Sequence, residues 1–126
     1  MFVEDGSVLQ RRRWPWQKDT LAFGWLDGAH PFRSGTCPAE VVDALEEAAR
    51  HPVDQTRGHH VCVLCPPREV GPTPHETAKG DVLQLGSASI EVMVDGTRWV
   101  APTLVLHYVA VHHYQPPEAV LHALRE

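Results

Sequence analysis

His60, Cys62 and Cys65 set one imidazole and two thiols within six residues. Thiolate and neutral imidazole are the donors that Zn²⁺ takes in a tetrahedron, and three of them leave one position to fill. If residues 61–64 are extended, the two-residue period of a strand puts His60 and Cys62 on one face. A turn after Leu64 then returns Cys65 to the same point. The spacing therefore predicts a zinc site built on HxCxxC, with iron and copper accepting the same donors. A redox dithiol is the competing reading of Cys62 and Cys65. Such a pair draws its acidity from a helix N-terminus, and Pro66-Pro67 directly after Cys65 opposes a helix there.

His107 is the first candidate for the fourth ligand, because it falls in the middle of an apolar stretch where a bare imidazole needs a partner. His75, Glu76 and water are its rivals. On an unbroken helix His107 and His112 point about 140° apart, so only one of them is assigned to the metal. His112 becomes a helix-end cap, a group behind a ligand or a proton donor. With His60, Cys62, Cys65 and His107 all bound, the metal is structural, and the expected function is binding of another protein or a small ligand.

Two other classes compete with that reading. If the fourth position carries water, the protein is a zinc enzyme of the hydrolase or lyase type, with His112, Glu76 or Tyr108 moving the proton. Residues 66–79 would then be its lid, and a pocket lined by Tyr108, His112 and Trp99 would mark the case. The HxE and PCxxC arrangement of zinc deaminases is absent. The third class is a metal-free interaction or immunity-type protein with both thiols free. Cys37, expected as a helix N-cap with His30 nearby, is a weaker nucleophile candidate.

The elements that must position these groups read as follows. Ile90, Val92 and Val94 alternate with Glu91 and Met93, Asp95-Gly96 is a two-residue hairpin signal, and residues 97–100 return. Pro38 at the first helical position and Glu40 at the third predict a helix running to Arg50, with Val41, Val42, Leu45, Ala48 and Ala49 inward and Glu46, Glu47 and Arg50 wet. A second helix, apolar almost all round, is expected from Pro102 through Tyr114, and a short one over residues 118–125. Residues 2–4 and 7–9 suggest an edge hairpin about Asp5-Gly6. The prolines at 66, 67, 72 and 74 predict a long loop of neither helix nor interior strand. The expected fold is α+β: a single metal-binding domain over residues 1–126, a β-hairpin or antiparallel sheet packed by two or three helices, with residues 1–20 peripheral.

Composition bounds the partners. The 126 residues carry 43% hydrophobic and 21% charged side chains, the balance of a globular domain large enough to fold without a metal. The net charge of −5 argues against nucleic acid as the partner. No apolar run spans a bilayer and no secretory leader pattern opens the chain, so a cytoplasmic protein without membrane contact is expected. In a reducing compartment three cysteines favour metal binding over a disulfide. Arg11, Arg12 and Arg13 beside Trp14 and Trp16 suggest either an anion or single-strand contact or a solvated loop with its rings folded onto the domain.

The motif order resembles a family of small, uncharacterised bacterial proteins. The matching residues are Gly24-Trp25-Leu26-Asp27, His30, Phe32 and Gly35, then the GxHxCxxC element of Gly58, His60, Cys62 and Cys65. They continue through Leu85-Gly86-Ser87-Ala88, Gly96 and Ala101-Pro102 to the HYxxxHxYxPP element of His107, Tyr108, His112, Tyr114, Pro116 and Pro117. The resemblance implies that the two motifs work together and supplies no reaction. His113 stands where that pattern leads one to expect a small residue such as glycine.

Overall fold

The computed structural model describes residues 2–125. Along the chain run β1 (Val8–Gln10), β2 (Thr20–Ala22), α1 (Ala39–Arg50), β3 (Thr73–Glu76), β4 (Val82–Leu85), β5 (Ser89–Val94), β6 (Thr97–Pro102), α2 (Val105–His112) and α3 (Glu118–Leu124). The fold is α+β. A four-stranded sheet has the order β1-β2-β6-β5, and β3 and β4 form a separate pair.

The β5–β6 hairpin is the spine of the larger sheet, in register from Ser89 opposite Pro102 to Val94 opposite Thr97. Its turn puts Asp95 at φ 48° and Gly96 at φ 79°, the double positive φ that a two-residue hairpin turn requires. Alternation buries Ile90 and Val92 and leaves Glu91 and Met93 outside. The inner face meets α1 through Val41 and Leu45, α2 through Val105 and Leu106, and α3 through Val120 and Leu121, in one continuous core. Phe23, following β2, is fully buried in it. Gly24 comes next at φ 76°, and a β-carbon there would lie 2.6 Å from Val105 Cγ2, so only glycine lets this strand end pass so close to α2.

Several local expectations give way to tertiary pairing. Residues 2–4 and 7–9 do not pair with one another: Val3 bridges to Trp25, and β1 lies antiparallel to β2. β6 runs on through Pro102, so α2 starts three residues later, at Val105. Pro38, not Cys37, is the N-cap of α1. Part of the expected proline loop is the β3–β4 hairpin; Pro74 is accommodated there because a two-stranded sheet has only edges. Glu46, expected on the wet side of α1, is only 3% exposed. The Trp14 and Trp16 rings stack on each other at 5.4 Å with Arg13 over Trp14, and Trp16 stays 78% exposed rather than folding onto the domain. No helix among the described residues is long and apolar enough to cross a membrane.

Candidate metal centre

The segment after His60 is not a strand. Residues 63–65 make a turn, so the two-residue period that would have aligned His60 with Cys62 does not operate. The turn instead folds Cys65 back beside Cys62. Backbone N–H groups of Leu64 and Cys65 donate to the Cys62 sulfur and favour its thiolate, while burial, the larger effect, pushes the thiol up. A positive ion at the sulfurs would resolve that conflict.

Helix α2 supplies two imidazoles to the same point. Cys65 Sγ lies 3.2 Å from His107 Nε2 and 3.3 Å from His112 Nε2, and Cys62 Sγ lies 3.3 Å from His112 Nε2. The donor atoms of Cys62, Cys65, His107 and His112 all fall within 4.8 Å of one another. Zn–S and Zn–N bonds of ordinary length at a tetrahedral angle put sulfur and nitrogen about 3.5 Å apart. These three sulfur–nitrogen distances match that value to within a few tenths of an ångström.

The electrostatics suit a cation that displaces protons. Burial, then the neighbouring His112, Arg68 and His75, hold the His107 pKa below its ordinary value, so the ring is the neutral ligand form at neutral pH. Tyr108, the next residue, is buried; burial and then the charges of Cys62 and Cys65 push its phenol up to about 12. α2 ends at His112 because His113 adopts the left-handed conformation, φ 57° and ψ 29°, and its N–H donates to the Tyr108 carbonyl. That is the position where a glycine would be conformationally easier, and it stops the helix with His112 turned towards the thiols.

Cys62, Cys65 and His107 of the expected set thus come together, but His60 does not join them. His112, set aside on helical geometry, takes the place in the group. His60 is exposed and is held by its backbone, whose N–H donates to the Gly86 carbonyl at 2.8 Å. Gly86, at φ 117°, has no room for a side chain, since a β-carbon would lie 2.7 Å from the His60 oxygen.

The other candidates are placed elsewhere. Glu76 is exposed on β3, and His75 Nε2 lies 2.7 Å from Glu46 Oε2 in a nearly buried pair that sequence patterning did not disclose. His30 is bonded to Asp27 through Nδ1 at 2.7 Å and stacks on Phe2. The half-buried Cys37 thiol is pushed up by burial, against a nucleophilic role.

A cavity of about 260 Å³ adjoins the metal group, with Tyr108 in its wall. None of the four converging donors lines it, nor does Trp99. The expected signature of an open catalytic metal, a pocket shared by Tyr108, His112 and Trp99, is therefore not the one observed.

The sequence model of one family matches residues 1–125. The chain belongs to DUF7919. This family is described as a domain of unknown function, and its match takes in both the cysteine turn and the α2 histidines. No curated protein and no solved structure matches this DUF7919 chain.

Proposed function

We propose that this DUF7919 chain is a zinc protein whose metal is structural. Cys62, Cys65, His107 and His112 hold Zn²⁺ between the cysteine turn and α2, and the protein works by binding a protein or a small ligand in the bacterial cytoplasm. One observation carries the reading: four protein donors of the zinc type already converge within 4.8 Å, which leaves no coordination position for water or substrate. The sequence of the turn explains why a metal is useful there. Pro66 and Pro67 deny the cysteine segment a helix or a ladder, so an ion would add a tie between its two sulfurs and α2 to the packing of Cys62 and Leu64 on the core.

The enzyme reading has less support. Of its three proton-transfer residues, His112 stands in the donor group and Glu76 is exposed away from it.

The test is elemental analysis of untagged protein, followed by Co²⁺ exchange. One equivalent of zinc and the intense visible bands of tetrahedral cobalt with thiolate ligands are expected. A six-coordinate cobalt spectrum, or protein that takes up neither ion, would sink the assignment.

A further inference from the structure

We propose that the cavity beside the metal group is a binding site for a small, flat, uncharged molecule carrying a hydrogen-bond acceptor, of which an aromatic amide is the simplest example. The proposal rests on the reading of the metal as structural, since Val61 and Val63, which line the cavity, flank Cys62 in the segment the metal would hold. At about 260 Å³ the space lies just below the range of drug-sized sites and suits one or two rings. Trp25, Leu26, Leu104 and Tyr108 give it apolar and aromatic walls.

The hydrogen-bond inventory selects the ligand. Tyr108 is 5% exposed and no hydrogen bond engages its hydroxyl; because Thr73 Oγ1 is the only described side-chain atom sealed without a partner, the phenol oxygen stays open to solvent on the cavity side. Two of the competing donors are already engaged: the Trp25 indole N–H donates to the Val100 carbonyl at 3.0 Å, and the Thr56 hydroxyl has the carbonyls of Gly58 and Ser87 within reach, while the Ser87 and Ser89 hydroxyls join Tyr108 on the open lining. A ligand acceptor placed on the Tyr108 hydroxyl would satisfy the donor that sits on the aromatic wall, where a flat ring would lie.

Charge selects further. No lysine or arginine lines the cavity, which gives an anion no permanent counter-charge. Its single carboxylate, Asp54, is 3.4 Å from Arg98 and so offers a cation little. The walls are also tied before any ligand arrives. The Thr56 N–H donates to Ser87 O at 2.6 Å and the His60 N–H to Gly86 O, joining the 54–60 loop to the strand end that faces it. Such preorganisation lowers the ordering cost of binding.

The test is a titration of the full ¹⁵N-labelled chain with benzamide, benzoate and benzamidine, following the Trp25 indole N–H and the amides of Gly86, Ser87 and Ser89, with the zinc content of each sample measured. Saturable shifts with benzamide, tighter than with either charged analogue, are expected. Tyr108→Phe keeps the ring and should weaken benzamide about fivefold, the worth of one neutral hydrogen bond. Ala88→Phe should fill the space and abolish the shifts. Absence of saturable shifts, equal affinity for the charged analogues, or an unchanged affinity in Tyr108→Phe would overturn the proposal. Zinc bound without benzamide shifts removes the cavity reading and keeps the metal one; benzamide bound by zinc-free protein does the reverse.

Discussion

The rings of His107 and His112 meet with their centroids 5.2 Å apart, and both Nε2 atoms stand against the same sulfur, Cys65 Sγ. Five residues on a helix separate two directions by about 140°, yet the rings reach one point. Helical side chains lean back towards the N-terminus, and His112 is the last residue of α2. Two imidazoles can therefore close on a position off the helix axis, one from each flank, and the turn carrying Cys62 and Cys65 brings the sulfurs to that position.

The identity of the fourth donor is directly testable. His112→Ala is expected to lower zinc affinity by at least tenfold, because it leaves three donors, and Cys62→Ala to prevent stoichiometric retention. His60→Ala should keep one equivalent. Competition with a chromophoric chelator gives the three affinities, and equal losses in His60→Ala and His112→Ala would refute the geometry. Stripping the metal from the parent should also lower its stability, because binding to the folded form alone adds to folding free energy.

The tyrosines give a prediction at high pH. The chain has two, Tyr108 and Tyr114. Tyr108 is pushed up to about 12 by burial and then by the two cysteines; Tyr114, fully buried and donating to Asp5 at 2.8 Å, is raised by burial and that carboxylate. Both folded values exceed the unfolded value of about 10, so the folded state holds protons that the unfolded chain gives up. Their contribution to stability is intact below pH about 10, and the share of Tyr108 is lost as the pH rises from there through about 12. In a spectrophotometric titration the native protein should show almost no tyrosinate at pH about 10.5, and a native tyrosine ionising near 10 would contradict the burial of these rings.

The Glu46–His75 pair is expected to matter for stability more than any surface ion pair. Glu46 Oε2 faces His75 Nε2 at 2.7 Å, and its other oxygen takes a long bond from the Ala78 N–H. His75→Ala strands a buried carboxylate and should cost about 3 kcal/mol. Replacing both, Glu46→Leu with His75→Leu, should recover much of that loss, because no buried charge is then stranded and the Ala78 N–H that loses its long bond belongs to an exposed residue. Urea unfolding of the two variants decides the matter; a double variant no more stable than His75→Ala would mean that packing, not the stranded charge, sets the cost.

His113 is exposed and left-handed, a conformation that costs a residue with a β-carbon about 1 kcal/mol relative to glycine. His113→Gly should therefore raise stability by about that amount and leave zinc binding unchanged. A loss of metal in this variant would show that the ring, not merely the backbone turn, serves the centre.

What the sequence determined by itself was whatever depends on neighbours in the chain. Asp95-Gly96 with alternating apolar residues before it specified the β5–β6 hairpin, and the Pro38 start and the 3.6-residue apolar period specified α1. The donor types were equally legible, since two cysteines three apart and histidines in an apolar helix carry their chemistry in their identity. Which donors meet was decided only by the tertiary structure. His60 and Cys62 are two residues apart, but whether they share a face depends on a turn whose shape is set by contacts from Gly86 and α2. Glu46 reads as a wet residue until β3 brings His75 over it. The antiparallel β1–β2 pair and the parallel β2–β6 pair likewise exist only once the chain returns. Local propensity acts over a few residues, whereas a metal group spanning residues 62 to 112 is closed by packing, which no short window of sequence contains.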